Sequence, residues 1–128
     1  VRVRDARRME SVEAMVRRVA GTPILPGLRI DLEGKLTRPP LEPNAATEAL
    51  LETARKAAAE LGMEIEPIEE YGGSDGCFTS ALGIATLDGL GPLTSDMCGD
   101  EEHIDVTSLV SRTALLASII TRLASDGS

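Results

Sequence analysis

The sequence predicts a layered α/β chain, and three observations carry the prediction. Three segments place apolar residues at helical spacing, and between them lie short segments that alternate apolar and polar residues or run apolar, bounded by Gly and Pro. Charge is also split: residues 1–40 hold nine of the 13 Lys+Arg and five of the 21 Asp+Glu, a net of +4, while residues 41–128 hold four and 16, a net of −12. Two surfaces of different character therefore meet near Pro39-Pro40.

Residues 1–4 alternate Val and Arg as a half-buried strand does. A helix follows, with Met9, Val12, Val16 and Val19 on one face, Asp5 or Ser11 as its cap and Gly21 as its end. After a Pro/Gly stretch, Leu28, Ile30 and Leu32 alternate with Arg29, Asp31 and Glu33, which reads as a second strand and completes a basic β-α-β unit. Two strands and one helix are too few to close a core. Arg38-Pro39-Pro40 through Pro43 reads as an extended linker, since successive prolines exclude helix. Asn44 then caps a helix whose face is Thr47, Leu50, Leu51, Ala54, Ala58 and Leu61, with Gly62 at its stop. Residues 63–68 read as a short strand, 71–78 as a glycine-rich turn, 84–87 as a short apolar strand and 88–105 as an acidic loop. The last helix runs from about residue 106 to 123, with Leu109, Val110, Leu116, Ile120 and Leu123 as its apolar face.

Composition excludes several classes of function. No apolar run approaches the roughly 18 residues a membrane span needs. With no Trp, one Tyr, one Phe and a net charge of −8, the chain lacks both the stacking platforms and the positive surface that nucleic acid requires. Cys77 and Cys98 lie 21 positions apart with no CxxC spacing, so they read as free thiols of a reducing cytoplasm rather than a disulfide or a zinc ribbon. Residues 1–8 contain no apolar signal-peptide core, and the absence of an initiator Met is expected of a chain that begins inside something larger.

Three groups of residues can carry chemistry. Gly72-Gly73-Ser74-Asp75-Gly76 lets a ligand approach the backbone and presents a hydroxyl and a carboxylate, yet it has neither the Gly-Lys-Ser/Thr of a phosphate loop nor a dinucleotide spacing, and an ordinary tight turn has the same composition. Ser95-Asp96-Met97-Cys98-Gly99-Asp100-Glu101-Glu102-His103 gathers a thiol, carboxylates and the single imidazole; it reads as metal ligands or as a solvated acidic loop. Arg38, on a stiff proline segment, suits a bidentate grip on a carboxylate, and equally suits an exposed position at a junction.

The order of these motifs is more specific than any one of them. Arg38-Pro39-Pro40-Leu41, an amphipathic helix, Gly72-Gly73-Ser74-Asp75-Gly76-Cys77-Phe78-Thr79-Ser80-Ala81-Leu82-Gly83, Leu87-Asp88-Gly89-Leu90-Gly91-Pro92 and Asp100-Glu101-Glu102-His103-Ile104-Asp105 follow one another. Together they resemble the carboxy-terminal third of the co-catalytic metallopeptidases, the family of glutamate carboxypeptidase, acetylornithine deacetylase, succinyl-diaminopimelate desuccinylase and aminoacylase, and most of all its glutamate carboxypeptidase-like branch. The resemblance implies that residues 1–40 are the second half of a ferredoxin-like β-α-β lid and dimerisation domain. It implies that residues 41–128 are the carboxy-terminal part of a phosphorylase/hydrolase-like α/β catalytic domain.

It further implies a metal-dependent amidohydrolase or carboxypeptidase that cleaves an amide or peptide bond beside a carboxylate-bearing group. Two zinc ions share a bridging carboxylate, and a glutamate acts as general base. Most of those ligands and the base belong to the family's amino-terminal half, so the zinc site here is expected to be incomplete or absent and the segment inactive alone. By the same resemblance Gly73, Ser74 and Asp75 match the substrate loop, Arg38 matches a substrate-carboxylate contact, and Cys98 stands where the last metal ligand is a histidine. His103 is expected to be structural. No catalytic residue is assigned. The expected partners are a small carboxylate-bearing amide or peptide and a second copy of the chain, with no nucleic acid and no membrane. The alternative is a non-catalytic interaction or dimerisation segment of a diverged relative.

Overall fold

The computed structural model describes residues 2–70 and 72–126. Val1 of the expected first strand and Tyr71 of the glycine-rich turn lie outside the described residues. The architecture is mixed α/β: a 3-10 turn at Ala6–Arg8, then α1 (Met9–Gly21), α2 (Ala45–Glu60), α3 (Gly76–Ala81), β1 (Thr94–Ser95), β2 (His103–Ile104) and α4 (Ser108–Asp126). The chain forms two compact units, one of Val1–Pro43 with Tyr71–Ile84, the other of Asn44–Glu70 with Ala85–Ser128. No helix among the described residues is long and apolar enough to cross a membrane.

In the first unit the predicted helix forms. The Asp5 carboxylate accepts the Arg8 N–H at 3.1 Å and so caps the turn that leads into α1, while Ser11 Oγ donates to Arg8 O at 2.9 Å. Met9, Val12 and Val16 are partly buried, but Val19 is 64% exposed. The flanking strands do not form. Residues 2–4 and 28–33 have no strand pairing, and Leu28, Ile30 and Leu32 are 44–47% exposed rather than turned into a core. Period two supplies a face, but a strand is a pairwise object whose backbone groups need a hydrogen-bonding neighbour. No such neighbour pairs with these segments among the described residues.

The second unit holds the core. Asn44 Oδ1 accepts the Thr47 N–H at 2.9 Å, capping α2, and Gly62 at φ +69° takes the left-handed turn that ends it. Asn44→Ala leaves that N–H without its partner and is expected to lower stability by about 1 kcal/mol, read as a small fall in the urea midpoint with unchanged slope. Ala54, Ala57 and Ala58 of α2 are buried against Leu115 and Ile119 of α4. Small residues on one helix let the other approach closely, and the bulky pair fills the space.

The expected apolar face of α4 is therefore corrected: Leu109, Leu116, Ile120 and Leu123 are 38–58% exposed and Val110 79% exposed. The helix is apolar on two faces, and the alanine face of α2 selects the one bearing Leu115 and Ile119. The helix also starts two residues later than expected, at Ser108.

Met63 and Ile65 pack against this core while Glu64 and Glu66 stay exposed, so the alternation of the expected 63–68 strand is obeyed in facing. No ladder forms there among the described residues, and the Met63 N–H is taken instead by Ala58 O at the end of α2, at 2.9 Å. Residues 84–87 likewise lack strand pairing, although Leu87 packs on the core. The strands that do form lie inside the expected acidic loop: Thr94 pairs with Ile104 and Ser95 with His103, antiparallel.

Candidate functional site

In the first unit the structure brings Arg38 to the glycine-rich segment. The Arg38 guanidinium is paired with the Asp75 carboxylate, lies 5.7 Å from the centre of the Phe78 ring, and has its Cδ 4.0 Å from where a Cβ on Gly73 would stand. The hydrogen bond that Arg38 donates to the Asp75 carboxylate, and next that carboxylate's charge, raise the Arg38 pKa above its ordinary value; the nearby Cys77 thiol adds smaller contributions of the same sign.

The segment itself is held locally. Ser74 Oγ accepts the Gly76 N–H at 3.0 Å, and the carbonyls of Ser74 and Asp75 accept the N–H groups of Cys77 and Phe78 at 3.3 and 3.2 Å. These bonds start α3, so the expected turn of residues 71–78 continues into a short helix. A buried hydroxyl fixes the other side: Ser80 Oγ donates to Glu42 O at 2.9 Å, while the Glu42 carboxylate accepts the Ala6 N–H at 2.6 Å. Arg38, Gly73 and Asp75 thus lie together, with Ser74 between the last two in sequence. Phe78, which sequence reasoning did not assign, lies beside the Arg38 guanidinium as well, and its spacing of three from Asp75 was the available signal; Cys77 between them is buried.

Cys98 belongs to the second unit. Its thiol is exposed, its backbone is left-handed at φ +66°, and Asp96 two residues earlier is left-handed at φ +52°. Asp96 serves its own turn: its carboxylate accepts the Glu101 N–H at 2.9 Å and its carbonyl the Gly99 N–H at 2.7 Å. A side chain at Gly99 would run into that carboxylate. His103, on β2, places Nδ1 2.6 Å from Glu101 O.

The base of the loop is tied to α4. Leu93 N–H donates to Ser108 Oγ at 2.9 Å, Asp105 N–H donates to Leu93 O at 2.8 Å, and Arg112 reaches Gly91 O at 2.8 Å and Gly89 O at 2.7 Å. The Thr107 hydroxyl, and next the Thr107 N–H, hold the Asp105 carboxyl below its ordinary pKa. Among the described residues no group of three or more His, Cys, Asp or Glu side chains is placed to hold a metal ion. Cys98 offers one donor, and Asp96, two residues before it, spends its carboxylate on the backbone; these residues do not fit a complete metal centre.

The fold and site define a mixed α/β chain with two exposed loops, one facing an arginine and a carboxylate, the other presenting a thiol. The model of peptidase family M20/M25/M40 matches residues 6–122, and the chain belongs to that family of hydrolases. No curated protein and no solved structure matches it.

Proposed function

We propose that the chain supplies the substrate-carboxylate grip of a metal-dependent amidohydrolase of the glutamate carboxypeptidase-like branch, cleaving an amide or peptide bond beside a carboxylate-bearing group. The observation that carries this reading is the meeting of Arg38 with Gly73 and Asp75, which flank Ser74 and stand 35 and more positions from Arg38 in sequence. A guanidinium has five donors, and one carboxylate oxygen of Asp75 does not use them all. The exposed remainder is free to take a substrate carboxylate in the fork geometry that arginine favours.

On this reading residues 1–40 are half of the lid and residues 41–128 the carboxy-terminal part of the catalytic domain, a carboxy-terminal third of a cytoplasmic zinc enzyme. Cys98 donates one ligand to a site completed elsewhere, and the 128-residue chain is inactive alone. Two measurements on the intact protein test it. An N-acyl amino acid should be hydrolysed far faster than its carboxamide analogue, and equal rates overturn the grip. Zinc content should fall by about one ion per chain in Cys98→Ser; unchanged content removes Cys98 from the ligand set.

A second reading has its own observation. Ile24, Leu25, Leu28, Ile30, Leu32 and Leu36 are all exposed along one stretch of the first unit, 44–95% of each. Such surface favours association, and the segment then acts as a dimerisation element of a homo-oligomer. Sedimentation that shows a monomer at every concentration rejects it.

A further inference from the structure

We infer that Arg112 is a positioning residue that fixes the loop of residues 88–105, and with it the outward presentation of the Cys98 thiol. The inference rests on the reading of that loop as part of the site. Ser108 and Arg112 stand one helical turn apart on α4, and both act on the loop. The Arg112 fork spans two carbonyls, Nε to Gly91 O and Nη2 to Gly89 O, with Gly89 left-handed at φ +72°. Two donors in one plane matched to two carbonyls two residues apart is a task for a guanidinium; an ammonium cannot fill both places in a fixed geometry.

From there the restraint is handed along the chain. Leu93 is held by Ser108 through its N–H and by Asp105 through its carbonyl, and the two residue pairs of β1 and β2 close the neck. Beyond the neck lie residues with no core of their own: positions 93–107 are all exposed. Asp96 and Cys98 nevertheless keep left-handed backbones, which non-glycine residues hold only where the surroundings over-determine them. Leu90 packs on the core between the two carbonyls that Arg112 holds, but from residue 93 to 107 no side chain is buried, so determination there falls to hydrogen bonds: the Asp96 carboxylate within the turn and the charge-assisted Arg112 pair at its base.

The test is amide exchange in the full chain, read residue by residue, with alkylation of Cys98 beside it. In Arg112→Met, exchange at Leu93 and Asp105 is expected to speed by about tenfold or more while the α2 amides at Ala57 and Ala58 stay within about twofold. The rate of Cys98 alkylation changes with it. Arg112→Lys restores part of the protection, since one hydrogen bond and the charge return. Should Arg112→Met unfold the unit, Arg112→Lys carries the test by itself: faster exchange at Leu93 and Asp105 over unchanged α2 supports the role. Exchange at Leu93 and Asp105 equal to that of the parent chain overturns it. A zinc content indifferent to Cys98→Ser removes the ligand reading and leaves this measurement as it stands, so the two failures are told apart.

Discussion

Leu115→Ala is expected to lower the stability of the second unit by about 3 kcal/mol, the largest effect of any single core substitution in this chain. Leu115 is fully buried, and among the described residues it is the largest side chain so enclosed. Its neighbours Ala54, Ala57 and Ala58 have no side-chain length with which to fill the space it leaves, so the cavity persists and its cost adds to the lost transfer free energy. Small units have only about 5 kcal/mol in hand, and most of it goes. Followed by helix signal in urea, the midpoint should fall by about 2 M at a slope of about 1.5 kcal/mol/M. Leu116→Ala is the matched control. Leu116 is next in sequence but 44% exposed, and its loss should cost under about 1 kcal/mol. Equal shifts for the two would mean that α4 does not face α2 through Leu115 and Ile119.

That pair of neighbours also shows where the sequence stops being legible. The existence of α2 and α4 follows from local chemistry: Asn44 before an apolar-periodic run, Gly62 after it, and a long apolar segment at the end. Which face of α4 is covered does not, because the helix offers Leu115 and Ile119 on one side and Leu116, Ile120 and Leu123 on another, and the choice depends on the alanines of a helix some sixty residues away. The strands fail for the same reason in stronger form. Leu28, Ile30 and Leu32 have the right period, and Met63 and Ile65 even the right facing, yet pairing is a property of two segments and one segment cannot announce its partner.

The candidate site was legible to the extent that it is composed of unusual residues. Arg38 beside two prolines and the run Gly73-Ser74-Asp75 stand out by chemistry, and they meet in the fold. Arg112 was not legible: an arginine on an apolar helix looks like a solvated charge until its two carbonyl partners, 21 and 23 positions earlier, are seen.

Arg38→Met in the intact protein is expected to cut kcat/KM for a carboxylate-bearing substrate by about 100-fold, mostly through KM, as two charge-assisted hydrogen bonds are lost. The carboxamide analogue should be almost unaffected, so the preference for the carboxylate collapses; this interaction between variant and substrate separates a grip from a general structural loss. Arg38→Lys restores the charge without the fork and should regain only part of the loss. Asp75→Asn keeps the size of the side chain but removes the charge that pairs with the guanidinium, and a smaller rise in KM is expected. The pH dependence has a definite form too. A guanidinium is protonated throughout the neutral range, and Asp75 raises the Arg38 pKa further, so Arg38 stays charged between about pH 6 and 9. Any slope in KM between about pH 6 and 9 then belongs to another group, and it should survive unchanged in Arg38→Lys. A slope that vanishes in Arg38→Lys would tie that titration to Arg38 itself, and a carboxylate preference that persists in Arg38→Met would place the recognition of the carboxylate on some other residue.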